Sequence, residues 1–585
     1  MENPVGALPG GALNRPASIF HFQESSPACL TGVLSAGQSI VDFRNQKGES
    51  PDKLAVLPMK SPGTLFWLVT ALLCVYVAFC TGRRDSVREA DAWEHHRSVL
   101  ALVQDLRQPG NPTLGGDASA IPSIRYSPYT VALAVLCRGT GMDPWDALSL
   151  AAVLNTVLLC LGVWVLLAGL GRADASGIAL IVMVSLYGGA PGYANSYALA
   201  DLPWHQVNPS AFAFGIVLLV WGLFLRLRRG AGPKGLWIAL PLMLALALLD
   251  HPMTGFLGVM GLGLFATAGL DDPEITRQVR LRRLGWAAAV SGLAIFVCLA
   301  WPWYGFGRAL TYKPDNAYWF NPSIARRMVT EWCAPAVLLS LWALAARDRA
   351  VTRVLLAGGA ACLGAGLVGM AAKSATLARI PLAGLIFFHL AVAVTARDFG
   401  WLSRDAWKER FRLMRTGGPG AAEASLAAVA TLVLLYGLAP QLLAIPREPH
   451  LARAYVAPLM GREDKQPRWR DVYRKALAPV GLREVVFGDP VTTWPAPSFG
   501  ARIVAPLHFE FFVPGQQRRY DDTLRFFTTP AESERTQLLQ AHGARWLLVD
   551  TALLDPRQQS ELVREPSVRS RAGTLVLMEA AAWGR

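Results

Sequence analysis

The chain has 585 residues, of which 53% are hydrophobic and only 17% charged. Soluble domains carry about a quarter charged residues, and here the apolar residues gather in long runs, so the composition excludes an ordinary soluble protein and points to a polytopic membrane protein. The net charge of +14 sits largely in short loops between apolar runs, at Arg226-Leu227-Arg228-Arg229, 277–283 and 397–415; that is the positive-inside pattern of cytoplasmic loops, and with no recognition motif beside it, nucleic acid is set aside as a partner.

Residues 1–60 are polar, with scattered Gly, Pro and Ser, and lack the basic–apolar–small order of a cleaved signal peptide. They read as a flexible cytoplasmic extension or an overextended gene start. The apolar run 65–80 then serves as an uncleaved first span. Further runs follow near 147–168, 177–189, 210–225, 236–249, 253–269, 285–302, 333–346, 354–371, 380–396 and 424–444. The piece 129–137 is too short to cross about 30 Å of hydrocarbon at roughly 1.5 Å per residue. With it excluded there are eleven spans. If the basic loops are cytoplasmic, the loop 81–126, the loops 190–208, 303–331 and 372–379, and the tail after 446 all face outside.

The tail alternates expected strands at 484–487, 501–505 and 545–549 with expected helices at 520–527 and 531–542. It reads as an extracytoplasmic α/β domain of ordinary size, about 130 residues. The eight cysteines include none after Pro446, and no Cys/His spacing suggests zinc. They read as small apolar side chains. The expected fold class is therefore an α-helical polytopic membrane protein of about 11–13 transmembrane helices with a C-terminal α/β domain. Its parts are 1–60, a membrane module over 61–445, and 446–585.

Chemistry concentrates in the loop after the first span: Arg88-Glu89-Ala90-Asp91-Ala92-Trp93-Glu94-His95-His96-Arg97. On a helix Asp91 and His95 share a face at i,i+4, with Glu89 partly away. A carboxylate at a water–membrane boundary can take a proton from a hydroxyl. Paired carboxylates can also hold Mg2+ or Mn2+ against a phosphate, and Glu89 with Asp91 is the candidate pair. The bland alternative is a solvated charged helix. Arg125 and Tyr126 read as interfacial anchors or as contacts to an anionic head group. Asp201 and His205, again i,i+4, stand among aromatic and amide side chains that suit sugar binding or a plain interfacial loop. His251, after Asp250, is an ionisable site at a membrane boundary or a helix cap. Loop 301–331 mixes aromatic and basic residues, as a lid over a lipid-linked anion or an ordinary interfacial loop would. Lys373 and Arg379 form the clearest cationic feature, either gripping a phosphate at a helix N-terminus or snorkelling to the interface.

The order of these parts, with Glu89-Ala-Asp91, Asp91-Ala-Trp-Glu-His-His96-Arg97, Arg125-Tyr-Ser-Pro128-Tyr129 and Ala378-Arg379-Ile380-Pro381, resembles the GT-C glycosyltransferase superfamily over about residues 61–445. Its members include oligosaccharyltransferase catalytic subunits, protein mannosyltransferases and aminoarabinose transferases. A WWDYG-type signature is absent, which argues against asparagine-linked transfer. The resemblance implies an integral protein of a bacterial inner or plasma membrane. It implies a sugar donor on a polyprenyl phosphate and a glycan, lipid or protein acceptor. It further implies that Asp91 is the general base, with Glu89 assisting or helping to hold a divalent ion. Arg379 and Lys373 would hold the donor phosphate, and His95, His96 and His205 would orient substrate in an inverting displacement. Members differ in their need for metal. Three rival readings are a transporter or flippase for lipid-linked saccharides, a polysaccharide polymerase or ligase, and a non-catalytic scaffold. Intramembrane charges and an inverted repeat would mark the transporter, and a large late loop the polymerase or ligase. Neither pattern is seen.

Overall fold

Within the described residues each apolar run named above is largely helical in the computed structural model, which describes residues 61–81, 90–188, 196–229, 233, 235–267, 276–311, 326–345, 349–401, 403–417, 421–447 and 469–583. The extension 1–60 and Glu89 lie outside the described residues. The membrane body and its first loop comprise α1 Thr64–Thr81, α2 Ala90–Gln104, α3 Pro128–Thr140, α4 Pro144–Gly169, α5 Ser176–Ser185, α6 Pro209–Arg228, α7 Leu236–Asp250, α8 Pro252–Thr267, α9 Arg277–Leu299, α10 Ala334–Ser340, α11 Arg349–Ala371, α12 Ala375–Asp398, α13 Arg404–Thr416 and α14 Ala421–Arg447. Among the described residues six helices are long and apolar enough to cross a membrane, and five shorter apolar ones match the remaining runs. The chain is a polytopic helical membrane protein with an α/β tail.

Local chemistry sets the helix starts. Ser127 caps α3 and Pro128 fills its first position, where a missing N–H costs nothing. Asp143 caps α4, accepting from the Trp145 N–H at 2.8 Å, again with proline next. Ser374 caps α12. This corrects one expectation: α12 starts at Ala375, so Arg379 stands in its second turn rather than at its N-terminus, and Pro381 is inside the helix.

The α4–α6 contact depends on glycine. A Cβ at Gly162 would lie 2.8 Å from the Gly215 carbonyl oxygen, and one at Gly222 would lie 2.5 Å from that of Val165. Small residues seven apart on each helix let the backbones touch, and dispersion replaces the hydrophobic drive that lipid cannot supply. Gly222→Leu is therefore expected to cost about 1–3 kcal/mol or more through overpacking. Gly292→Ala, whose new Cβ meets nothing within 4 Å, should be nearly neutral. Thermal unfolding of the two variants in detergent checks the contrast, and equal melting temperatures would refute it.

The tail holds α15 Trp469–Ala476, β1 Val485–Phe487, β2 Arg502–Ile503, α16 Gln516–Thr528, α17 Glu532–Ala541, β3 Trp546–Asp550, β4 Val568–Ala572 and β5 Leu575–Glu579. The strands run β2-β1-β3-β5-β4, parallel across β2-β1-β3 and antiparallel beyond. The three expected strands and two expected helices are present; the β4–β5 hairpin was not expected. Gly573 opens its two-residue turn at φ +58, a conformation cheap only for glycine.

The first loop is built into this tail. The Ile503 N–H donates to the Thr113 carbonyl at 2.9 Å and the Gly115 N–H to the Ile503 carbonyl at 3.1 Å. The loop thus pairs with β2 and covers a sheet edge. Leu114 and Ala118 are buried in the tail's own core with Val486, Ile503 and Trp546.

Candidate functional site

The site lies where four loops converge at one end of the bundle. Asp250 accepts from the Tyr129 N–H at 2.8 Å, and the Tyr129 hydroxyl donates to the Val207 carbonyl at 2.8 Å. The Trp301 indole donates to the Tyr126 carbonyl at 2.9 Å, that of Trp303 to the Leu106 carbonyl at 3.0 Å, and the Tyr304 hydroxyl to the Leu249 carbonyl at 2.8 Å. Two arginines of the basic loops are engaged apart from it: the Arg228 guanidinium donates to the Phe265 carbonyl, and Arg397 pairs with Asp174 and Asp398.

On this platform α2 lies under the tail. Asp91 occupies its first turn, where the helix dipole favours a carboxylate. Glu94, one turn on, is wholly buried, and its Oε1 stands 3.1 Å from His508 Nδ1 and accepts from the Trp494 indole at 3.1 Å. Its other oxygen pairs with Arg125. Burial alone would push the Glu94 carboxyl up, but Arg125, His508 and Arg97 outweigh it and hold the group well below the usual carboxylate range. Asp91 Oδ1 lies 3.6 Å from His508 Nδ1, and 38% of the Asp91 side chain remains exposed. The two acids therefore differ: Glu94 is buried and fixed in ion pairs, whereas Asp91 is partly exposed.

Behind them stands a second buried carboxylate, Glu510. It accepts from Arg97 at 3.1 Å, from the Thr113 hydroxyl at 2.8 Å and from the Ser123 hydroxyl at 2.8 Å, with Arg125 Nε at 3.5 Å. Arg97, Arg125, Glu94 and Glu510 thus form an alternating charge network that joins α2, the end of the first loop and the tail segment 508–510. Burying such a network is tolerable only because each charge meets an opposite one.

The other expected site residues divide. Burial, then Arg125, pushes His95 down to about 3, and His95 lies within electrostatic reach of His251. His251 caps α8 through Thr254, with Nδ1 2.7 Å from the Thr254 hydroxyl, and lies within electrostatic reach of Arg379. His95 is thus within electrostatic reach of Arg125 and His251, and His251 of Arg379. His96 turns elsewhere: its ring stacks on Trp145 at 4.1 Å, and burial, then Arg470, pushes it down to about 3. Tyr126 is buried and donates to the Gly110 carbonyl at 2.6 Å. Asp201 and His205 are buried at a separate short turn, Leu202–His205 and its cap, with both His205 ring nitrogens unbonded. Lys373 is exposed beside α12, with a left-handed φ of +51.

Glu94, His508 and Glu510 are the site residues that sequence reasoning missed. Glu94 had a signal, one helical turn from Asp91. His508 and Glu510 had none, since the groups that hydrogen-bond their side chains stand 387 to 414 positions away. Asp91, Glu94 and His508 bring donor atoms within 4.8 Å of one another. Two carboxylates and an imidazole suit Mn2+ better than Mg2+, which prefers oxygen. This set contains Asp91 of the expected metal pair, while Glu89 is outside the described residues.

His95 and His96, two of the buried histidines, contribute to a pH response. Each binds a proton in the unfolded chain below its ordinary value of 6.5, but in the folded chain only near 3. Between these values protons favour the unfolded chain, so their contribution is fully present above about pH 6.5 and declines as pH falls. Melting temperature in detergent should drop between pH 7.5 and 5. A double variant His95→Gln/His96→Gln should flatten that drop, and an unchanged slope would refute the assignment.

No protein-family model matches this sequence, and no curated protein matches it. Solved structures of the oligosaccharyltransferase of Archaeoglobus fulgidus are similar to it. The apo form aligns at TM-score 0.45 and 13% identity over 83% of this chain and 70% of its own. The archaeal oligosaccharyltransferase AglB in complex with an inhibitory peptide and a dolichol-phosphate aligns at TM-score 0.47 and 12% identity, over 84% and 70%. A complex with zinc and sulfate aligns at TM-score 0.45 and 13% identity, over 84% and 68%. At these scores the likeness gives no residue of this chain a role.

Proposed function

We propose that the protein is a membrane glycosyltransferase that moves a sugar from a polyprenyl-phosphate donor to an acceptor hydroxyl. The observation that supports this reading best is the half-exposed Asp91. It sits on the ion-paired frame of Glu94, Arg125 and His508, with His95 one turn further along the same helix.

In this reading Asp91 takes the proton from the acceptor hydroxyl as that oxygen attacks the anomeric carbon. The bond to the donor phosphate breaks on the opposite side, so the centre inverts. Arg379, with Lys373 at the neighbouring turn, holds the departing phosphate and stabilises its charge. His95, uncharged at neutral pH, and His251 line the path between them as hydrogen-bonding groups. Glu94, Arg125 and His508 fix the position of α2. A divalent ion held by Asp91, Glu94 and His508 would supply a positive charge toward phosphate. The site would face outside a bacterial inner membrane, with the amino terminus in the cytoplasm.

Purified protein in detergent, offered radiolabelled polyprenyl-phosphate sugars one at a time with a membrane-extract acceptor, is expected to release free polyprenyl phosphate from one of them. Saturable binding of a donor with no transfer to any acceptor would overturn the reading in favour of a transporter.

A further inference from the structure

Between the first loop, the turn 301–305 and the tail lies a cleft of about 820 Å³. Its walls include Arg107, Arg483 and Arg502 together with Tyr126, Trp301 and Trp303. Among the described residues none of the three arginines is ion-paired, whereas the arginines of the neighbouring network each meet a carboxylate. Arg502 is 6% exposed, and its guanidinium donates to the neutral Pro112 carbonyl at 2.8 Å. Arg483 and Arg97 lie within electrostatic reach of it. Asp105, within electrostatic reach of Arg483, already accepts from the Arg107 and Gln108 N–H groups at 3.0 Å each.

A buried guanidinium costs several kcal/mol unless an anion meets it, and like charges gathered in a low-dielectric cleft focus a field that draws anions. The two tryptophans lie 4.8 Å apart, are half-buried, and are held by their own indole N–H bonds to the first loop. They offer fixed aromatic surface of the kind on which sugar rings stack.

We propose that this cleft binds an anionic glycan, with a sugar ring against Trp301 and Trp303 and its carboxylate or phosphate on Arg107, Arg483 and Arg502. The assignment of that glycan as the acceptor rests on the transferase reading; the binding itself does not. Thr113 and Arg125, which touch Glu510, belong to the loop that forms the cleft wall, so a bound chain would lie beside the Asp91 frame.

The test is calorimetric titration of the full chain in detergent with trigalacturonate, mannose 6-phosphate and neutral maltotriose. Trigalacturonate is expected to bind saturably, and maltotriose roughly tenfold or more weaker. Arg107→Glu/Arg483→Glu should abolish the preference, and Arg107→Lys/Arg483→Lys should keep most of it. Both positions are exposed and outside the ion-pair network, so these variants should fold. Tighter binding of mannose 6-phosphate, lost in the Glu pair, also supports the site and makes the anion a phosphate. Equal binding of neutral and charged probes, undiminished binding in the Glu pair, or no binding of any probe at millimolar concentration would overturn it. Asp91→Asn lies outside the cleft and should leave binding intact, so failure of transfer and failure of the cleft are read separately.

Discussion

Asp91→Asn is expected to slow sugar transfer by about 10²–10⁴-fold, the usual contribution of a positioned general base, with no loss of fold. The fold should survive because the Asp91 side chain is partly in solvent and lies 3.6 Å from His508, beyond hydrogen-bond distance. Glu94, by contrast, is buried against Arg125, His508 and Trp494, so Glu94→Gln should lower stability together with activity. The measurement is the initial rate of release of free polyprenyl phosphate, alongside thermal unfolding of the same samples. Excess Mn2+ separates a base from a metal ligand, since a weakened metal site recovers with more ion and a missing base does not. A wild-type rate in Asp91→Asn would remove Asp91 from the mechanism.

Glu510→Ala is expected to cost about 3–5 kcal/mol, the loss seen when one partner of a buried pair is removed and the other charge is stranded. Two arginines and two hydroxyls converge on this one carboxylate, and it holds the first loop, α2 and the tail together. Glu510→Gln, which keeps the shape and loses the charge, should cost less. Thermal unfolding in detergent reads the magnitude. Limited proteolysis reads the place, because residues 105–125 should become cleavable while the membrane helices stay protected. An unchanged melting temperature and an unchanged cleavage pattern would show that the network is not what joins loop and tail.

The local features were legible because their signals are local. Each apolar run became a helix, since any segment in lipid must satisfy its own backbone groups. The short piece 129–137 became a helix of 13 residues that is not among the long apolar ones. Strands β1 and β3 stood where β-branched and aromatic residues cluster. The hairpin Val568–Glu579 carried a weaker signal, a glycine just before the apolar run 575–578, and the sequence reading does not include it. The start of α12 was placed late because Ser374, a capping residue, precedes the apolar run by several positions.

The sequence by itself determined that this is a polytopic membrane protein, that an acidic helix follows its first span, and that an α/β tail closes it. Hydropathy, caps and turn residues act over a few positions and need no partner. Only the tertiary structure decided which acid is fixed and which is half-exposed. It also showed that His508 and Glu510 enter the site from the tail, and that His96 packs on Trp145 instead of joining Asp91. Those outcomes depend on burial and on charges brought together from distant parts of the chain, and no spacing within the first loop encodes them.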